Sequence, residues 1–348
     1  MHPRTCLPLL TVALTCLATA SFGQVAAPAS DELGMAQELG PATWARCAAH
    51  LVHPRAKSYE LSYVRSNTMP LSPFVGPFEL TYRPTSAHPG TMQAYNVETL
   101  NENAIPNHQG TQIDAFGHFG YLDKVWDGTS PLSMDAVRYY GGLTQHDVKP
   151  TPDSPLLKLG MDKVPPIVTT AILLDAKAHV GKGTRMNAGE VVTSQHIEAM
   201  LKTQGLEERG IHPGDVVYIY TGWSKHYQDP DIDKVYYSMA PGLSFDAAHY
   251  LGDKRIVAVG LDTPFVDAVA AGQLAGKAGP PAGTPPGIAF PSHHYLLTQA
   301  GIYLLENLKL DELARDRVAT SCTIVLPLRE QGASGSPIRP IAIGAPRE

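Results

Sequence analysis

Residues 212–220 read His-Pro-Gly-Asp-Val-Val-Tyr-Ile-Tyr: a four-residue turn that launches an unbroken apolar run. Pro and Gly supply the turn conformations. Five consecutive apolar residues without alternation mark a strand buried on both faces, as in the interior of a parallel sheet. Two more runs of this kind flank it, Ala171–Leu174 (AILL) and Arg255–Leu261 (RIVAVGL). Between them lie segments of helical spacing. Thr193–Gln204 has Thr193 or Ser194 as N-cap, and Ser244–Leu251 forms the second. Buried strands alternating with short helices predict a mixed α/β fold.

Further elements extend outward from this centre. Short strands are expected at Glu60–Val64, Phe78–Tyr82, Thr111–Ala115, Ile302–Leu305, Thr323–Leu328 and Ile338–Ile343. Helices are expected within Asp31–Leu51, at Asp135–Tyr140 and at Ser292–Ala300. Ala271–Pro291 is rich in Gly, Pro and Ala and reads as a long loop over a functional region. No linker divides the chain and no repeat of 20–50 residues is present, so one domain is expected over 58–345, with 24–57 as an N-terminal extension. Residues 1–23 read as an export signal, with Arg4, the apolar Leu7–Leu17 and the small residues before Gly23. Eleven apolar residues are too few to span a bilayer, which takes about 20. The expectation is therefore a periplasmic or secreted protein with no stable membrane insertion. Cys47 and Cys322 remain outside the signal, either as a disulfide or as two buried thiols.

The chain has 348 residues and a formal charge of −6, with no run of Lys or Arg. That argues against nucleic acid as its main partner. GxGxxG, P-loop, GxSxG and HExxH motifs are all absent, which argues against nucleotide cofactors and serine hydrolysis. What stands out is 107–119, NHQGTQIDAFGHF. Residues two apart on an extended segment share a face, so Gln112 and Asp114 point together, with His108 and His118 at the two ends. Two imidazoles, a carboxylate and an amide converging on one side form a candidate metal site. Near the C-terminus, Glu306 closes the apolar run IYLLE, where an acid is costly unless paired or metal-bound. His293 and His294 are adjacent, so one of the two faces any shared site.

Together these segments resemble the cyclase family of metal-dependent hydrolases, which includes kynurenine formamidases and isatin hydrolases. The family motif HxGTHxDxPxH meets His108-Gln-Gly-Thr-Gln112-Ile-Asp114-Ala-Phe116-Gly-His118 here. Tyr59–Ser62, Gly214–Trp223, Pro241–Ser244, Val259–Thr263, His293–Leu308 and Leu326–Arg339 follow in the family's order. The resemblance implies a swivelling β/β/α fold with a mixed sheet and flanking helices, and assembly as homodimers or homotetramers. It also implies a divalent metal, Mn²⁺ or Zn²⁺, and hydrolysis of an amide, cyclic amide or lactone bond in a small molecule. Carried over, His108 and Asp114 are ligands and His118 the catalytic acid/base. His293 or His294 is a further ligand, as is Glu306, which also enters the catalytic set. Gln112 replaces the motif's second His and either binds metal through its carbonyl or hydrogen-bonds substrate. A neutral oxygen donor shifts the site toward oxygen-tolerant ions such as Mn²⁺. Phe116 replaces the motif Pro and adds an aromatic wall; Tyr121, Trp126 and Trp223 are candidates to wall the substrate pocket or else pack in the core. Asp262, at the end of a buried strand, either supports a ligand or makes a turn through Thr263-Pro264. The alternatives are a non-catalytic small-molecule-binding protein of the periplasm and a lyase on the same scaffold.

Overall fold

A computed structural model describes residues 32–101 and 106–347; the expected export signal lies outside them. The organising feature is a nine-stranded mixed sheet. In chain order its strands are β1 (Lys57–Glu60), β2 (Gln112–Asp114), β3 (Ile167–Asp175), β4 (Val216–Tyr220), β5 (Ala258–Leu261), β6 (Tyr303–Glu306), β7 (Thr320–Val325), β8 (Gly335–Pro337) and β9 (Ile341–Gly344). Their spatial order is β1-β9-β7-β3-β4-β5-β6-β2-β8.

The three apolar runs of the sequence form the middle. β3, β4 and β5 are mutually parallel, and β6 continues the parallel set. Nearly every residue on them is buried, because helices cover the sheet. Helix α1 (Pro41–Leu51) packs on β3 and β7. Helices α2 (Ser194–Thr203) and α3 (Phe245–Asp253) lie together. Thr193 caps α2 by accepting the His196 N–H at 3.2 Å, and Ser244 caps α3 by accepting the Ala247 N–H at 3.3 Å. At each side of the parallel block the sheet turns antiparallel: β6 pairs with β2 and β2 with β8, while β3 pairs with β7.

Some elements differ from the sequence reading. The first strand ends at Glu60, because its ladder with β9 stops there. Glu79–Tyr82 is a strand, but among the described residues it pairs with Glu98–Asn101 alone, in a hairpin separate from the main sheet. Asp135–Tyr140 is not a helix: Arg138 forms β-bridges with both Tyr121 and Thr144, and that pairing holds the backbone extended. The expected helix at Ser292–Ala300 splits into α4 (Pro291–Tyr295) and one π-helical turn at Leu296–Ala300.

Cys47 on α1 and Cys322 on β7 form a disulfide across 275 residues of sequence. Closing so long a loop removes much entropy from the unfolded chain, an effect on the order of 4 kcal/mol. Reduction, or a Cys47→Ala/Cys322→Ala double variant, is expected to lower the thermal midpoint by about 4–8 °C. Calorimetry with and without reductant checks this; an unchanged midpoint would mean the crosslink contributes nothing.

Candidate metal centre

The site forms where the parallel block meets its antiparallel neighbour. In the β6–β2 register Glu306 lies opposite Gln112, and Leu304 opposite Asp114. Period-two alternation sends Ile113 and Leu305 into the core and Gln112, Asp114 and Glu306 to the other face. There Gln112 Nε2 donates to Glu306 Oε2 at 3.0 Å and lies 3.5 Å from Asp114 Oδ1. His108 approaches from the turn before β2, with Nδ1 3.1 Å from Asp114 Oδ1. Its Nε2 is 3.1 Å from Ser334 Oγ. Gly335 follows Ser334, and a Cβ there would lie 2.3 Å from the His108 ring, so only glycine lets the ring sit in this place. His118, on the short 3₁₀ turn Phe116–His118, stacks on His108 with ring centres 4.3 Å apart.

His293 enters from α4. Its Nδ1 meets Asp267 Oδ2 at 2.6 Å, which directs Nε2 toward Asp114 Oδ2 (3.5 Å) and Glu306 Oε1 (3.3 Å). Asp267 also accepts the N–H groups of Ser292 and His293 at the start of the helix. Asp267 was not singled out from sequence; the signal was an acid inside the otherwise apolar Phe265–Ala270. Gln109 was missed too. It holds the 72–76 loop over the cavity by accepting the Ser72 N–H at 3.0 Å and donating to the Gly76 carbonyl at 2.8 Å.

The cluster floors a cavity of about 390 Å³. Phe74, Phe119, Phe265 and Phe290 form its apolar walls. The residues expected as walls lie elsewhere. Phe116 is buried and stacks on Tyr303 at 4.3 Å, behind the site. Trp223 sits in a satellite core with Tyr237 and Phe265, one layer behind the cavity wall. Tyr121, Trp126 and His294 border a neighbouring cavity, with His294 edge-on to Tyr121 and 3.1 Å from Gln299 Nε2. The adjacent histidines thus part company, and His293 is the one in the cluster. Asp262 accepts the Thr221 N–H and hydroxyl at 2.7 Å and the Ser224 N–H at 3.2 Å, tying the ends of β4 and β5 together.

Burial and neighbours divide the charge states. Burial pushes Glu306 up to about 7, reinforced by the Asp114 charge. Burial also acts to raise Asp114, but the His118 charge and the His108 and His293 hydrogen bonds overcome it and hold this carboxyl well below the usual range. His293 sits well above its ordinary value. Burial opposes this, but hydrogen bonds to Asp114, Asp267 and Glu306 prevail. His118 is lowered to about 4, first by burial and further by His108 and His293, against the pull of Asp114.

Two overlapping triads can each bring three donor atoms together: His108, Asp114 and His118, and Asp114, His293 and Glu306. Within each, the atoms lie no more than 4.8 Å apart. Among the described residues, buried Gln112 Oε1 has no hydrogen-bond partner and buried Asp114 Oδ2 has only His293 Nε2 nearby, at 3.5 Å. Orphaned buried oxygens beside imidazole nitrogens are what a divalent cation satisfies, so the residues fit such an ion.

The fold has solved counterparts. A protein described as a novel cyclase matches with 22% identity over 90% of this chain and 96% of its own, at a TM-score of 0.70. Isatin hydrolase A from Ralstonia solanacearum matches with 22% identity over 88% and 98%, at 0.55. An isatin hydrolase bound to the product analogue thioisatinate matches with 21% identity over 86% and 96%, at 0.54. These likenesses are of fold. No curated protein sequence matches the chain. The family model described as putative cyclase matches residues 50–268, well over half the chain and including the whole His108–His118 segment, so this protein belongs to the cyclase family.

Proposed function

We propose that this chain is an exported metal-dependent hydrolase that cleaves an amide, cyclic amide or lactone bond of a small molecule, with His118 as acid/base. The observation that carries the reading is the placement of His118, lowered to about 4 and so neutral at pH 7, beside the Asp114–Glu306–His293 cluster in one aromatic-walled cavity. His108, Asp114, His293 and Glu306 would hold the ion. Gln112 adds a neutral carbonyl oxygen, a set rich in hard donors that suits Mn²⁺ at least as well as Zn²⁺. When bound, the ion supplies Lewis acidity for a carbonyl group. A neutral imidazole at His118 can take a proton from the attacking water and return it to the leaving nitrogen or oxygen. Asp267 keeps His293 in one orientation by holding Nδ1, and the phenylalanine walls exclude bulk water and accept a flat apolar group. Neighbours of this fold include isatin hydrolases, which supports a cyclic amide among the substrates. The Cys47–Cys322 disulfide and the sequence of 1–23 support export, to the periplasm or outside the cell. No helix among the described residues is long and apolar enough to cross a membrane. Assembly as a homodimer or homotetramer belongs to the same proposal, and light scattering tests it.

The first experiment is elemental analysis of the purified protein before and after chelation, with hydrolysis assays on N-formylkynurenine, isatin and simple lactones. Bound metal with chelator-sensitive turnover supports the proposal. Absence of both metal and activity after adding Mn²⁺ or Zn²⁺ would make the chain a binding protein. His118→Ala should keep its metal while turnover falls at least about a hundredfold; near-normal turnover would remove His118 from its role. Asp114→Ala should lose the metal.

Metal affinity should depend on pH. Glu306 titrates near 7 and His293 above its ordinary value, and both must shed protons to act as ligands. Lowering the pH from 8 to 6 therefore protonates Glu306, while the raised His293 favours its proton throughout, and weakens binding by about tenfold or more. Chelator competition at the two pH values, with calorimetry in two buffers to count released protons, checks the sign. An affinity indifferent to pH would contradict it.

A further inference from the structure

The 3₁₀ turn Gly34–Glu38 and the residue Glu32 lie in the segment that sequence reading set outside the domain, yet they sit directly behind the turn that carries His118. Glu32 Oε2 accepts the Leu159 N–H at 2.7 Å. The Leu159 carbonyl accepts the Gly117 N–H at 3.0 Å, and Gly117 is the residue before His118. Leu159 has φ +61°, a left-handed conformation unfavourable for leucine, and is almost fully buried. Such a residue persists only where its surroundings over-determine it. Here its N–H and its carbonyl are both committed, one to the N-terminal segment and one to the His118 turn.

A second contact runs in parallel. Phe116, two residues before His118, is held between Tyr303 (4.3 Å) and Tyr140 (5.0 Å). Gly34 closes this stack: at φ +54°, a Cβ there would lie 2.6 Å from the Phe116 ring. The Met35 N–H donates to the Gly301 carbonyl at 2.7 Å and pins the segment to the loop before β6. The turn Phe116–His118 is thus gripped from both of its leading residues by groups that never enter the cavity.

We propose that residues 32–36 are a clamp that fixes the catalytic turn, with Glu32 as a positioning residue acting on His118 through Leu159 and Gly117. This rests on the reading of His118 as acid/base. A carboxylate accepting a buried N–H makes a strong charge-assisted bond. Its loss frees Leu159 to relax toward an ordinary conformation and withdraws the acceptor from Gly117. Small displacements of a catalytic group can cost up to about a hundredfold in rate.

The test compares Glu32→Ala and Glu32→Gln with the parent protein. Four quantities are measured: metal content, thermal midpoint, kcat and KM on the fastest probe substrate, and hydrogen–deuterium exchange of peptides covering 115–119. The clamp predicts that Glu32→Ala exchanges faster at 115–119 and loses about tenfold or more in kcat, with metal content and KM held within twofold. Glu32→Gln, which keeps an oxygen acceptor, should recover most of the rate. Unchanged exchange and kcat would overturn the proposal. So would a kcat loss that tracks lost metal or a general fall in midpoint and is not relieved by Gln. If the parent turns over no probe, the hydrolase reading fails, while faster or unchanged exchange at 115–119 still decides whether the clamp exists.

Discussion

Three carboxylates, Asp114, Asp267 and Glu306, lie almost wholly out of water within one cluster. Isolated buried charges of this kind are expensive, so the surrounding structure must supply compensation. Gln112 donates to Glu306, Val266 offers its N–H to the same carboxylate, and His293 bridges all three acids. The contacts that Gln112 and Asp114 make depend on the β6–β2 pairing. A one-residue slip of β2 against β6 would turn Asp114 and Gln112 into the core and bring Ile113 to the cavity. The antiparallel seam beside the parallel block is therefore where the protein's polar chemistry and its fold constrain each other.

Within the cluster, like residues are driven to unlike states by their neighbours. Asp114, surrounded by imidazoles, stays ionised, while Glu306, beside the Asp114 charge, holds a proton up to about 7. His293, touching three acids, holds its proton, and His118, stacked on another imidazole in a buried setting, gives its proton up. Pairs of titratable groups pushed apart in this way separate ligands from proton carriers. In the proposed reading, His293, oriented by Asp267, is a ligand once it sheds that proton, and His118 carries the reacting proton.

Much of this was readable in the residues. The apolar runs at 171–174, 216–220 and 255–261 became the central parallel strands, because continuous burial leaves little else for such runs to do. The shared face of Gln112 and Asp114 followed from strand alternation. The rest depended on distance in three dimensions. Asp135–Tyr140 has helical composition, but an extended partner at Tyr121 overrode it. Phe116 looked like a pocket wall because of its place in the motif, yet the backbone turn at Phe116–His118 sends it backward onto Tyr303. The choice between His293 and His294 was fixed by Asp267, an acid some two dozen residues upstream, and no local pattern could have made it. The actual walls, Phe74, Phe119, Phe265 and Phe290, come from four separate loops.

The same reasoning explains why the site's support extends so far from its ligands. His108, Asp114 and His118 fall within eleven residues, but each is held by a different distant segment: His108 by Ser334, Asp114 by the cluster from β6 and α4, and the His118 turn by Leu159 and the N-terminal strap. A short motif can bring donors near one another, but it has too few backbone hydrogen bonds of its own to fix their directions. The Ala115 N–H goes to the Ser334 carbonyl and the Gly117 N–H to the Leu159 carbonyl, so alternate residues of the motif are anchored on two distant segments of the chain. Two anchors two residues apart resist rotation where one would permit it. On this geometry, the orientation of His118 relative to Asp114 is set by the whole domain rather than by the motif that contains them both.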